Sequence, residues 1–340
     1  MTGKLRIGVI GCGLIGRRRA EQAAAHRDSE CVAVSDVDLA AAQQTAQLAG
    51  AEAVSDWRGL LERTDIDAVV VSTPNGFLAD IAVYALERGK HVLVEKPMGR
   101  NLAEADRMYR AACGAERVLK VGFNHRYHPA IAAAHERVAQ GEIGEVINLR
   151  CRYGHGGRPG YDTEWRGNRD LAGGGELLDQ GVHVVDLVHW FAGIPHAAFA
   201  VLQTAVWPLR DLEDNAFGMF RFASGAVASF HTSWTQWKNL FSLEVFGRTG
   251  GIVISGLGRS YGVETLTVYH RRPDGGAPDE TALVFDGPDE SWRLEWDDFV
   301  TALRRGTDHA MQGTAQDGVV AMRLIDALYR SASLGAVVAV

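Results

Sequence analysis

The first 124 residues alternate two textures, and that alternation restricts the fold more than any other feature of the chain. LRIGVI, ECVAVSD, DAVVVST, HVLVEK and VLKVGFN are short apolar runs, and stretches with helical spacing lie between them, the first from about Ile15. Strands that are apolar on both faces need cover on both sides, and intervening helices supply it, so the chain should wind into a parallel, doubly wound sheet. The helix after EKPMGR opens with Asn101-Leu102-Ala103-Glu104, in the manner of a capping box, and is expected to run out at Gly114. Past Asn124 the texture changes. One helix from Pro129 to about Gln140 and another after a triple glycine give way to alternating strands joined at Ser224-Gly225 and Thr249-Gly250-Gly251, which argues for an open, mostly antiparallel sheet. PDGGAPDE, 273 to 280, reads as a solvated hairpin loop, and helices over Trp292–Arg305 and Gln316–Ser333 close the chain. The expectation is an α/β protein with a cofactor-type parallel sheet over 1–124 and a second α/β domain over 125–340.

A chain of 340 residues exceeds a typical single core, in keeping with two domains. It is 46% hydrophobic and 23% charged with a net charge of -7, so no basic footprint for nucleic acid is present. No stretch approaches about eighteen uninterrupted apolar residues, and MTGKLRIGVIG turns glycine-rich before reaching signal-peptide length. A cytoplasmic protein without membrane association is expected. Cys12, Cys31, Cys113 and Cys151 lie far apart with no CxxC pair, which reads as buried free thiols and suggests neither zinc nor disulfides.

Chemistry enters with GCGLIG. Gly11, Gly13 and Gly16 stand between a strand and a helix, where glycines permit a tight turn and close approach to a pyrophosphate, and the helix N-terminus offers free N–H groups. The second strand ends at Asp36, about twenty residues beyond Gly16, where a carboxylate can take the ribose hydroxyls of NAD. Asp36 would repel a 2'-phosphate, so NAD is preferred, with NADP possible if an arginine reaches that edge. Arg17, Arg18 and Arg19 oppose the helix dipole; they read as a solvated basic face, or one of them assists the phosphates. Lys96, in Glu95-Lys96-Pro97 at the end of HVLVEK, is delivered to the same rim as the glycines and stands well for chemistry there.

GGGELLDQGVHVVD, 173 to 186, places Asp179 and His183 four residues apart, on one face if the stretch is one helix, with helix-weakening Gly181 between them. A metal site, a buried polar pair and a proton-transfer site each produce that spacing. A metal would want further ligands that the stretch does not force, and Gly181 makes sense if something approaches its backbone closely. Asp186 and His189, further along, read as structural or supporting residues. Tyr153, His155, Trp165 and Arg166, which precede the triple glycine, either line a substrate pocket or are structural, and the same choice holds for Asn124 and Arg126.

GCGLIG with Asp36, STPN at 72 to 75, EKP at 95 to 97, GFNHRYHP at 122 to 129, GGGELLDQGVH at 173 to 183 and the closing ALYRSASLGAVV together resemble the Gfo/Idh/MocA oxidoreductase family over essentially the whole chain. The resemblance implies an NAD(P)-binding Rossmann domain followed by an α/β domain on an open, largely antiparallel sheet, and oxidation or reduction of a hydroxyl or keto carbon of a sugar, cyclitol or nucleotide sugar. It implies catalytic roles for Lys96, Asp179 and His183. It places Gly11, Gly13, Leu14, Ile15 and Gly16 under the pyrophosphate, Asp36 at the adenosine ribose, Ser72, Thr73, Pro74 and Asn75 along the cofactor and Glu95 near the nicotinamide ribose, with Lys96 and Asn124 also at the cofactor. Leu78 stands where members often carry a histidine, which removes any contact made there. A homo-oligomer, dimer or tetramer, is expected, partly from family habit and partly because the second sheet offers an uncovered face. Two other functions share these features: an NAD-dependent glycosidase working by transient oxidation, and a non-catalytic dinucleotide-binding regulator, which retention of Lys96, Asp179 and His183 argues against.

Overall fold

The computed structural model describes residues 3–306 and 309–340, and it divides into two compact units. The first comprises the chain up to Phe123 with Asp170–Gly173 and Trp292–Val319. Its elements are β1 (Leu5–Ile10), α1 (Leu14–Ala25), β2 (Ser29–Ser35), α2 (Leu39–Ala49), β3 (Glu52–Val54), α3 (Trp57–Glu62), β4 (Ala68–Val71), α4 (Asn75–Glu87), β5 (His91–Val94), α5 (Leu102–Ala115) and β6 (Leu119–Val121). The strands are all parallel, in the order β3-β2-β1-β4-β5-β6. That order reverses direction between β1 and β4, so the loops leaving these two strands flank the crevice where ligands bind in doubly wound sheets. β4 reads AVVV with every residue buried, as a strand covered on both faces requires.

Two local expectations need revision. β3 is a short edge strand with an exposed glutamate, invisible to a search for apolar runs. α5 is capped by Asn101, whose Oδ1 accepts the Glu104 N–H at 3.0 Å, but it continues past Gly114 to Ala115. Gly114 has open space around it, and the terminating left-handed residue is Glu116, at φ 51°. The division at residue 124 also takes no account of the late return to the first unit. From the helix Ser291–Arg305, Trp296, Phe299, Val300 and Leu303 join the same buried cluster as Leu5, Ile7, Val9 and Ala20, and Trp296 Nε1 donates to Ser29 Oγ at 3.1 Å.

The second unit comprises Asn124–Arg169, Gly174–Ser291 and Val320–Val340. A 3-10 turn (Asn124–Tyr127) leads to α6 (Pro129–Ala139) and β7 (Val146–Gly154); after α7 (Arg169–Ala172), which falls mostly in the first unit, α8 (Glu176–Asp179) and α9 (Gly181–Ala192) precede β8 (Ala197–Gln203), β9 (Asn215–Arg221), β10 (Val227–Ser233), β11 (Leu240–Gly247), β12 (Gly250–Ser255), β13 (Glu264–His270) and β14 (Asp279–Phe285). α10 (Ser291–Arg305), α11 (Ala315–Leu334) and β15 (Val338–Ala339) follow. The nine strands run β14-β13-β12-β11-β7-β10-β9-β8-β15, antiparallel except for the β7–β10 pair. α9 packs on β7 and β10, and α6 on β12, β13 and β14. The hairpins fall at Ser224-Gly225 and before Gly250, and 273–280 is exposed, though its last two residues already belong to β14. Cys12, Cys31 and Cys151 are buried free thiols; Cys113, unlike the others, is exposed. Among the described residues, no helix is long and apolar enough to cross a membrane.

Candidate active site

In the first unit the glycine loop is built by close approach. Gly11 has φ +94°, and a Cβ there would lie 2.6 Å from the Ser72 carbonyl carbon. One on Gly16 would lie 1.7 Å from the Gly11 oxygen. Only glycine lets α1 start so near the turn. Gly13, the residue that caps α1, has nothing within 4 Å of where its Cβ would be, so the helix N-terminus is open to an approaching pyrophosphate. Leu14, 70% exposed, and the partly buried Ile15 open the helix itself.

The neighbouring side chains are fixed from β1, β2 and β4. Asp36 accepts the Cys12 N–H at 2.6 Å on one oxygen and the Asp38 N–H at 2.9 Å on the other, with lone pairs remaining for a ribose diol. Ser72 Oγ donates to the Gly11 oxygen at 2.9 Å, tying the β4 loop to the glycine turn, and Pro74 caps α4. Thr73 Oγ1 is buried with no hydrogen-bond partner in the chain, a capacity that a bound group can meet. These features fit a dinucleotide. The Asn75 amide is otherwise engaged: its Nδ2 donates to the Ala172 oxygen at 2.8 Å. Leu78 is fully buried core.

Arg19 departs from the solvated reading of the basic run, whereas Arg18 is exposed as that reading expects. Arg19 lies fully buried with Nε 2.8 Å from Glu95 Oε1 and Nη1 2.6 Å from Glu295 Oε2. Burial pulls the guanidinium down, and the two carboxylates outweigh it, so Arg19 is held above its ordinary range; burial raises Glu295 despite Arg19 beside it. Glu95, expected at the nicotinamide ribose, is therefore anchored from behind by α1. Lys96 follows it, half-buried, with a cis bond to Pro97.

In the second unit Asp179 and His183 do not lie on one continuous helix. α8 ends at Asp179 and α9 begins at Gly181, with Gln180 between them at φ −103° and ψ −33°. A Cβ on Gly181 would lie 3.1 Å from Thr232 Oγ1 on β10 and 3.2 Å from Leu177, which is the close approach that favours glycine there. The preceding turn is tight for the same reason. A Cβ on Gly175 would lie 2.2 Å from the Glu213 oxygen, and Glu213 Oε1 accepts the N–H groups of Gly175 and Leu177 and the Tyr329 hydroxyl, the last at 2.8 Å.

His183 is 4% exposed, and its ring stacks on that of His125 with centroids 3.7 Å and planes 18° apart. His125 is fixed in turn: its Nδ1 lies 3.2 Å from Asn124 Oδ1, Asn124 Nδ2 donates to Ser291 Oγ at 3.2 Å, and Tyr153 packs edge-on at 5.3 Å. Sequence reasoning passed over His125, although it lies between Asn124 and Arg126; the 3-10 turn that brings it against α9 leaves no periodic signal. Asp179 Oδ2 accepts from Arg166 Nε at 3.1 Å, and the charge of Asp179 raises the Arg166 guanidinium further. Trp165 lies beneath that guanidinium at 4.5 Å. Burial lowers the His155 imidazole, with Asp179 pulling the other way, and raises the Tyr153 phenol. Arg126, expected at the substrate, is instead buried in a two-bond pair with Asp186, at 2.9 and 2.6 Å, which gives both a structural role. Among the described residues, no group of three or more His, Cys, Asp or Glu is placed to hold a metal.

The family described as oxidoreductase family, NAD-binding Rossmann fold, matches residues 5–123, and the GFO/IDH/MocA C-terminal domain matches residues 131–253. Levoglucosan dehydrogenase of Pseudarthrobacter phenanthrenivorans is 31% identical over 288 residues, 74% of this chain and 73% of that one. D-glucoside 3-dehydrogenase of Escherichia coli is 28% identical over 351 residues, 97% of this chain and 96% of that one. Among solved structures, a levoglucosan dehydrogenase in complex with NADH and levoglucosan matches with a TM-score of 0.90 at 28% identity, over 99% of each chain.

Proposed function

The chain belongs to the Gfo/Idh/MocA family and is an NAD-dependent oxidoreductase acting on CH–OH groups, and on that footing we propose that it interconverts a secondary hydroxyl and a ketone on a sugar, a cyclitol or a sugar derivative. The names of the dehydrogenases it is similar to support that substrate class. Bound NAD supplies the hydride acceptor. Oxidation breaks one C–H and one O–H bond: the hydride leaves carbon, the proton leaves oxygen, and a carbonyl remains. His183 takes the proton, Lys96 stabilises developing negative charge on the oxygen, and Asp179, steadied by Arg166, orients the hydroxyl. Gly11, Gly13, Leu14, Ile15, Gly16, Asp36, Ser72, Thr73, Pro74, Asn75, Glu95 and Asn124 bear on the cofactor, directly or by holding its contacts, and Tyr153, His155, Trp165 and Arg166 shape the substrate side. The functional form is a homo-oligomer.

The observation that carries this reading is the buried imidazole of His183, ring-stacked on His125 rather than left to rotate. Its test is a panel of sugars and cyclitols with NAD, followed at the reduced-nicotinamide absorbance. Net NADH should accumulate with at least one substrate, and His183→Ala should lower kcat by about two to four powers of ten with NAD affinity unchanged. Near-normal turnover in that variant would transfer the base role to Lys96, and turnover without net NADH would favour the glycosidase.

A further inference from the structure

We propose that Trp237 is the floor of a second carbohydrate subsite, so that the substrate is a glycoside in which the oxidised sugar ring carries another sugar ring. This inference rests on the dehydrogenase reading above and narrows its substrate class. Trp237 is 67% exposed, and its backbone sits in the left-handed region at φ 55°, an unusual conformation for a bulky residue and one that clusters at ligand sites. The fold holds it there. Trp207, 6.5 Å away between ring centroids, anchors its Nε1 on the Trp234 oxygen at 3.0 Å. Gly157 makes room for Trp207, since a Cβ there would lie 2.4 Å from that Nε1. Beneath lies a buried cluster in which Tyr161 packs at 5.0 Å from Trp234 and 6.2 Å from Trp207. The result is an indole held out to solvent on a rigid aromatic base.

Its position relates it to the chemistry of the same unit. The Gln236 N–H donates to the His155 oxygen at 3.1 Å, so Trp237 is pinned beside the residue that follows β7. Two residues back along that strand, about 7 Å, Tyr153 packs on His125, the ring stacked on His183. Asp179 acts electrostatically on both His155 and Tyr161, the near edge of the aromatic base. Trp237 therefore stands beyond the reacting position, where a neighbouring ring and not the oxidised one would lie.

The local chemistry selects the occupant. A sugar ring has C–H faces that stack on an aromatic plane and hydroxyl edges that need polar partners, here the Gln236 amide and the flanking backbone. A nucleotide sugar would need cations for its diphosphate. Arg158 is committed to Glu164 at 2.7 Å and lies over Tyr161, which leaves the exposed Lys238 beside Trp237 as the nearby ammonium along the chain. A neutral second ring fits better.

The test uses the full-length protein with NAD and matched pairs of methyl glycosides and disaccharides of glucose, galactose and xylose, for the unmodified enzyme, Trp237→Ala and Trp237→Phe, with sedimentation masses for all three. The unmodified enzyme should prefer a disaccharide to its methyl glycoside. Trp237→Ala should lower kcat/KM for that disaccharide about tenfold, mainly through KM, on the scale of losing one packed aromatic anchor, while the methyl glycoside stays within about twofold and the mass is unchanged. Trp237→Phe should recover part of the loss. Equal loss on both members of a pair, no loss on either, or a change of mass that marks Trp237 as a contact between copies would each overturn the subsite. Turnover of no glycoside in the panel, with NADH formed from a free sugar or cyclitol, would overturn the subsite and leave the dehydrogenase reading standing; no NADH from any of them would count against that reading itself.

Discussion

Arg19 is buried between Glu95 and Glu295, and removing it would leave two carboxylates inside the first unit without their cation. Taking one partner from a buried ion pair costs about 3–5 kcal/mol. Arg19→Met is expected to lose stability on that scale, read as a lower urea midpoint with an unchanged slope; a loss below about 1 kcal/mol would rank the network with surface pairs. Nothing in the charge of Arg17, Arg18 and Arg19 separates the three, but helical periodicity does: Gly16, Arg19, Ala20 and Ala23 are the residues α1 buries. Reading charge as exposure hid that signal. Lys96 and Glu95 are legible as a motif, whereas the anchor behind Glu95 is not, because Glu295 lies far along the chain. The same limit applies to the His125–His183 stack, which depends on a turn and a helix packed across a long sequence separation.

At the scale of elements, β5 carries a pH dependence. His91 opens that strand, and its Nδ1 accepts the Val118 N–H at 3.0 Å, which ties it to the residue before β6. Burial, aided by the charge of Arg117, pulls its imidazole down to about 4. The unfolded chain keeps a histidine near pKa 6.5, so below that value the unfolded state binds the extra proton. The stability contributed by His91 is complete above about pH 6.5 and is lost as pH falls toward 4. His91→Gln should lose less stability than the unmodified protein between pH 7 and pH 5 in urea unfolding, and equal losses would assign the decline to other groups. Local chemistry made most elements readable: AVVV, short, β-branched and flanked by helical stretches, reads as a covered strand, and Asn101 caps α5 as its spacing suggests. The break between α8 and α9 was not readable, because a glycine inside a helical pattern looks like a tolerated weakness until Thr232 of β10 is known to press against it.

For the whole molecule, the homo-oligomer proposed above would close on the exposed apolar residues of the nine-stranded sheet. Val201 and Phe217 are cross-strand partners on β8 and β9, 51% and 42% exposed, and Met219, 46% exposed, continues the patch. Exposed apolar residues grouped in this way are where contact between copies is to be tested. Phe217→Glu combined with Met219→Lys should reduce the sedimentation mass at micromolar concentration to that of one chain; an unmodified protein already at that mass would refute the assembly. The class of each sheet was legible from its texture, parallel where strands are apolar throughout and antiparallel where they alternate. The discontinuity of the units was not, since no composition marks where a chain turns back. That discontinuity bears on biosynthesis. When a ribosome has made the chain as far as residue 290, Lys96, Asp179 and His183 all exist, yet Glu295, Trp296, Phe299 and Leu303 are missing from the first unit and Val320–Val340 from the second. Each unit completes its core only with the last helices, after most of both units has been made.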